Sequence, residues 1–137
     1  MPTFSDNSLR QLDTCDTRLQ AIFHKVLVHR DCTIIEGHRD GERQNEMVRQ
    51  GRSKLLWPNS RHNTSPSKAV DVGPYYPGEG IPWNSRERFI FFAGFVFAVA
   101  DELRIPVRWG GDWDSDLTFT DQSFHDLPHW ELVGEDL

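Results

Sequence analysis

Cysteine is scarce in this chain: Cys15 and Cys32 are the only two among 137 residues. That excludes the disulfide framework that staples small secreted domains, and the pair is read as two reduced, buried thiols. Long apolar runs are missing as well. Residues 89–100 form the most apolar stretch, too short to cross a bilayer and flanked by Arg86, Glu87 and Arg88 before it and Asp101 and Glu102 after it. The opening segment, Met1-Pro2-Thr3-Phe4-Ser5-Asp6, lacks a basic stretch followed by an apolar one. No secretory signal is therefore expected, and synthesis in the cytoplasm is. Positive charge is in deficit, with 15 Lys and Arg against 21 Asp and Glu and a net charge of −6. This argues against nucleic acid as a partner. Repeats, linkers and low-complexity segments are absent too, which leaves one domain over 1–137.

What is present is aromatic bulk. Hydrophobic residues make up only 37 % of the chain, but aromatics reach 12 % and supply large core side chains. Leu9, Leu12, Leu19, Ile22, Phe23, Val26 and Leu27 recur at helical spacing, predicting one helix over 8–30 capped by Ser5 or Asp6. His24 and His29 on it are read as surface side chains. A short β-rich run at 32–36 predicts a strand, residues 42–50 a polar helix ending at Gly51, and residues 69–72 a second strand. Residues 85–103 predict a long helix, capped by Asn84 and apolar nearly all round, with Phe91, Phe92, Phe95 and Phe97 in the core. Short strands follow at 107–109 and 129–133.

Three polar residues conflict with their settings or recur where chemistry needs them. Asp71 interrupts the apolar run Ala69-Val70-Asp71-Val72, where a lone carboxylate is costly unless paired or metal-bound. His62 precedes it and His129 follows much later. Two imidazoles and a carboxylate suffice for a catalytic zinc, which takes three protein ligands and keeps a position open. Asp126, three residues before His129, is placed to accept a proton from an attacking water. His125 is its rival, although neighbours on an extended segment point opposite ways. By the same alternation Glu131 shares a face with His129 and can brace a ligand imidazole. Asp112, Asp114 and Asp116 alternate as calcium ligands do, with Asp121 further on, but Leu117 stands where an EF-hand loop requires glycine. A solvated acidic turn is the preferred reading, with Ca2+ as the alternative.

The strings Ser60-Arg61-His62, Ala69-Val70-Asp71-Val72, Arg108-Trp109-Gly110-Gly111-Asp112-Trp113 and Asp126-Leu127-Pro128-His129-Trp130-Glu131-Leu132 resemble the zinc peptidases that include D-Ala-D-Ala carboxypeptidases and phage L-alanyl-D-glutamate endopeptidases. Many members separate the first histidine and the aspartate by seven positions. Here the separation is nine, and the loop at 63–68 absorbs the difference. The resemblance implies a small α+β domain whose short antiparallel sheet carries the ligands against helices. It implies His62, Asp71 and His129 as zinc ligands and Asp126 as the general base. It also implies Arg39, Gln44 and Ser60 as substrate contacts. Without the resemblance, Arg39 reads as a solvated side chain paired with Asp40 or Glu42. The implied partner is the peptidoglycan stem peptide, cut at the L-alanyl–D-glutamate bond by a monomeric phage endolysin. Such an enzyme has no separate wall-binding domain, does not insert into the membrane and reaches the wall after release across it. A D-Ala-D-Ala carboxypeptidase and a non-catalytic, zinc-stabilised binding module are the alternatives.

Overall fold

Period-two alternation gives the sheet one face for the core and one for chemistry. In the computed structural model, which describes residues 2–118 and 126–134, the elements run α1 (Asp6–Asp13), α2 (Thr17–His29), β1 (Cys32–Glu36), α3 (Gly41–Arg49), a 3-10 turn (Arg61–Asn63), β2 (Ala69–Pro74), α4 (Arg86–Leu103), β3 (Val107–Trp109) and β4 (His129–Leu132). The strands form one antiparallel sheet in the order β1-β2-β4-β3. Ile34, Val70, Val72, Trp109, Trp130 and Leu132 point into a single core with Leu19, Ile22, Phe23 and Val26 of α2 and Phe92, Val96 and Val99 of α4. Trp109 and Trp130 stack with ring centroids 5.8 Å apart, and Phe97 meets the edge of Trp130 at 5.0 Å. The α+β class and the single antiparallel sheet expected from the sequence are what the structure shows.

The single helix expected over 8–30 is two. The chain leaves its helical path at Thr14–Asp16 to form a bridge with Ser67, through Asp16 N–H to the Ser67 carbonyl and Ser67 N–H to the Thr14 carbonyl, both at 2.9 Å. Asp16 then caps α2, accepting from Arg18 N–H at 2.9 Å. The apolar residues on either side keep helical phase across the break, so periodicity does not reveal it. In α4 the N-cap is Ser85, not Asn84. The helix is also not buried all round: Phe91 is 54 % exposed and lies under the Arg30 guanidinium. Cys15 and Cys32 are buried free thiols, as expected. Burial pushes both up to about 12, so they stay protonated.

Candidate metal centre

For each imidazole, the nitrogen that faces Asp71 is selected by what holds the other side of the ring. That geometry begins at Ser60, whose hydroxyl accepts His62 N–H at 3.2 Å while the Asn63 side chain accepts Ser60 N–H at 3.1 Å. This closed turn aims His62 inward, 1 % exposed. Its Nδ1 lies 2.7 Å from the Gly37 carbonyl. A carbonyl can only accept, so the proton sits on Nδ1 and Nε2 faces Asp71 Oδ1 at 3.2 Å. Gly37 is required here, because a Cβ would stand 2.3 Å from Thr14 Oγ1 and 2.4 Å from the Gln11 carbonyl.

His129 is oriented the opposite way. Its Nε2 lies 2.8 Å from Glu131 Oε1, and its Nδ1 faces Asp71 Oδ1 at 3.4 Å. Asp71 and His129 are direct cross-strand partners on β2 and β4, so backbone register brings them together. One ligand atom from each of His62, Asp71 and His129 lies within 4.8 Å of the others. The set fits zinc: two nitrogen donors and one oxygen, each imidazole braced on its far side by a carbonyl or carboxylate.

Burial would raise the Asp71 carboxyl, but the imidazoles of His62 and His129 outweigh it and hold the group far below the usual carboxylate range. Arg39 is a further neighbour, with Nη2 at 3.3 Å from Asp71 Oδ2. Burial also disfavours charge on His129, but Asp71 and Glu131 prevail and raise it to about 10. The Glu131 carboxyl is pushed up by burial and pulled further down, to about 2, by His129 and Arg108. Asp126 goes the other way. Burial, then the nearby charge of Asp71, raises it to about 6. Its Oδ2 lies 4.0 Å from His129 Nδ1, which places it beside the ligand atoms and outside their set.

These side chains share a cleft of about 800 Å³, lined also by Ser60, Arg61, Trp83, Arg108, Trp113 and Leu127. Trp113 tilts against His129, ring centroids 5.2 Å apart. The backbone that delivers Asp126 and His129 is clamped at Gly110, which donates to the His129 carbonyl and accepts from Asp126 N–H, both at 2.9 Å. A Cβ at Gly110 would lie 2.0 Å from the Asp126 carbonyl oxygen. Arg39 lines the cleft too, but it is only 4 % exposed. It donates to Glu36 at 2.8 Å and to Gln44 Oε1 at 2.9 Å, so the solvated pairing with Asp40 or Glu42 does not describe it. Gln44 is wholly buried, its amide also donating to Ser53 and to the Leu55 carbonyl. It is a strut behind Arg39. Ser60 is buried against the cleft with its hydroxyl engaged by the His62 turn.

Arg61, Arg108 and Trp113 are cleft residues that sequence reasoning passed over, although all three sit inside the quoted motifs. His125 and Asp121 lie outside the described residues. Asp112, Asp114 and Asp116 do come together. However, the Asp112 carboxylate accepts Leu117 N–H at 2.9 Å and Asp116 N–H at 3.3 Å, which makes it the cap of its own turn. Nothing in this arrangement supports Ca2+ over that role.

The profile of the phage L-alanyl-D-glutamate peptidase family matches residues 2–133. The chain is 32 % identical over 136 residues to the L-alanyl-D-glutamate peptidase of Escherichia phage T5, covering 95 % of this chain and 97 % of that one. Its fold superposes on the crystal structure of the Serratia marcescens L-Ala D-Glu endopeptidase ChiX with a TM-score of 0.75 and 29 % identity, over 98 % of this chain and 92 % of that one. With the family profile matched over residues 2–133 and nearly the whole chain aligned to a peptidase of that kind, this protein belongs to the phage L-alanyl-D-glutamate peptidase family.

Proposed function

We propose that the chain is a zinc-dependent peptidoglycan endopeptidase that hydrolyses the L-alanyl–D-glutamate bond of the stem peptide. The observation that carries this reading is the convergence of His62, Asp71 and His129 in one cleft, with Asp126 at 4.0 Å from His129. Zinc, when held by His62, Asp71 and His129, supplies the Lewis acid that activates water and polarises the scissile carbonyl. Asp126 accepts the proton of the attacking water and returns it to the leaving amine. A carboxylate raised to about 6 suits both halves of that task. Glu131 and Gly37 keep the imidazoles in the required tautomers. Arg39, braced by Gln44, has one N–H beyond those it gives to Glu36, Gln44 and Asp71. That donor orients the substrate, while Ser60 shapes the wall beside it.

A single catalytic domain acting as a monomer, reaching the wall after release across the membrane, completes the proposal. Among the described residues no helix is long and apolar enough to cross a membrane. The test is mass spectrometry of purified peptidoglycan digested by zinc-loaded protein. New glutamyl amino termini are the expected product. Release of free D-alanine alone would replace this reading with a D-Ala-D-Ala carboxypeptidase, and no cleavage of any peptidoglycan would leave a binding module.

A further inference from the structure

Two arginines stand on the cleft wall with more positive charge than their partner can absorb. Arg61 Nε lies 2.9 Å from Glu131 Oε2, and Arg108 Nη2 lies 2.9 Å from that same oxygen. The other oxygen, Oε1, already holds His129 Nε2 at 2.8 Å. One carboxylate, itself serving an imidazole, thus faces two guanidinium cations, in a chain whose net charge is −6. Both arginine side chains are about one-third exposed, at 35 % and 36 %, and both line the cleft. Arg39 is the contrast, because it is 4 % exposed and tied to Glu36, Gln44 and Asp71. Compared with Arg39, the Arg61–Arg108 pair is the more open to an incoming anion, and it stands on the carboxylate that braces His129.

The substrate offers one. A glutamyl residue has two carboxyl groups, and whichever continues the peptide, the other remains an anion unless it is amidated. The arginine pair is one imidazole and one carboxylate away from the inward-facing Nδ1 of His129. That is the reach of the residue or two beside the scissile bond, at about 3.5 Å per extended residue. We propose that Arg61 and Arg108 read the free carboxylate of the glutamyl residue next to the scissile bond, and so select acidic stem peptides over amidated ones. The inference rests on the L-alanyl–D-glutamate reading above and adds the substrate's charge state to it. Guanidinium forks suit this work, because they hold carboxylates through paired charge-assisted hydrogen bonds and leave a neutral amide much less firmly bound.

The test compares two synthetic stem peptides differing only in that group, free carboxylate or primary amide, with parent and variants at matched zinc content. The parent is expected to favour the acid by about 10–100-fold in kcat/KM, the range of a charge-assisted hydrogen bond. Arg61→Gln, Arg108→Gln and the double variant should move that ratio towards one, chiefly through KM, and Arg61→Lys should restore part of it. If the parent cuts both peptides equally, the inference fails while the peptidase reading stands. If the variants lose activity equally on both, the arginines only position Glu131 and the inference fails. If the parent cuts neither peptide nor whole peptidoglycan, the peptidase reading fails and takes this inference with it.

Discussion

Asp126 sits next to the ligand atoms without belonging to them, so its loss should separate chemistry from metal binding. Asp126→Asn is expected to keep zinc, measured by elemental analysis, while lowering kcat by about 10²–10⁴-fold, the usual contribution of a general base. The same residue sets the pH profile. A base works deprotonated, so a group raised by burial to about 6 gives a rate that falls as pH drops through that value. A bound cation stabilises the carboxylate, so the acid limb of kcat/KM should appear at or below pH 6. A limb well above it would assign the proton transfer elsewhere. Glu131→Gln tests the brace on His129: zinc affinity or activity should fall about 10–100-fold, as for other partners of ligating histidines. Arg39→Ala should disturb zinc content as well as turnover, because its guanidinium helps hold Asp71. Retention of full zinc with a pure KM defect would make Arg39 a substrate contact alone. At this scale the convergence of His62, Asp71 and His129 was legible, from Asp71 as a carboxylate inside an apolar run and from the resemblance carried by the two histidine motifs. The tautomers were not, because the one at His62 depends on a carbonyl 25 positions away, at Gly37.

The elements place these residues through a few close backbone approaches. Gly110→Ala drives a methyl group against the Asp126 carbonyl, at 2.0 Å before relaxation. The strand-end clamp must then open. A stability loss of about 1–3 kcal/mol, as for other overpacked sites, should appear in the denaturation midpoint together with weaker zinc binding. Gly94→Ala is the control, because nothing lies within 4 Å of its added Cβ on the exposed side of α4. It should be neutral or stabilising by up to about 1 kcal/mol, as a helical glycine replaced by alanine commonly is. If both variants behave alike, the clamp at Gly110 is not what positions the site. Strand and helix types could be read from the sequence because periodicity reports the burial of a face. The break between α1 and α2 could not, since Leu12 and Leu19 lie on the buried side of both helices. The exposure of Phe91 escaped for a related reason: composition shows that α4 is apolar but not how much of its circumference has a neighbour.

Over the whole molecule the site joins distant parts of the chain. His62 comes from a turn between the first and second strands, Asp71 from the second strand and His129 from the fourth. Metal bound only by the folded form must therefore stabilise that form, by about 4 kcal/mol at a free concentration 1,000 times Kd. A chelator should lower Tm in the parent and leave Tm of His129→Ala nearly unchanged. Equal shifts in both would mean that the chelator acts elsewhere. The pairing of Asp71 with His129 has a further consequence, one of timing. A chain is made from its N-terminus, and until residue 129 has left the ribosome the nascent polypeptide has His62 and Asp71 but neither the last ligand nor the strand that brings it into place. Even then, a slip of one position between β2 and β4 would turn the His129 imidazole to the opposite side of the sheet. On the proposed ligand set, an incomplete or misregistered chain is therefore expected to lack hydrolytic competence until β4 is in place.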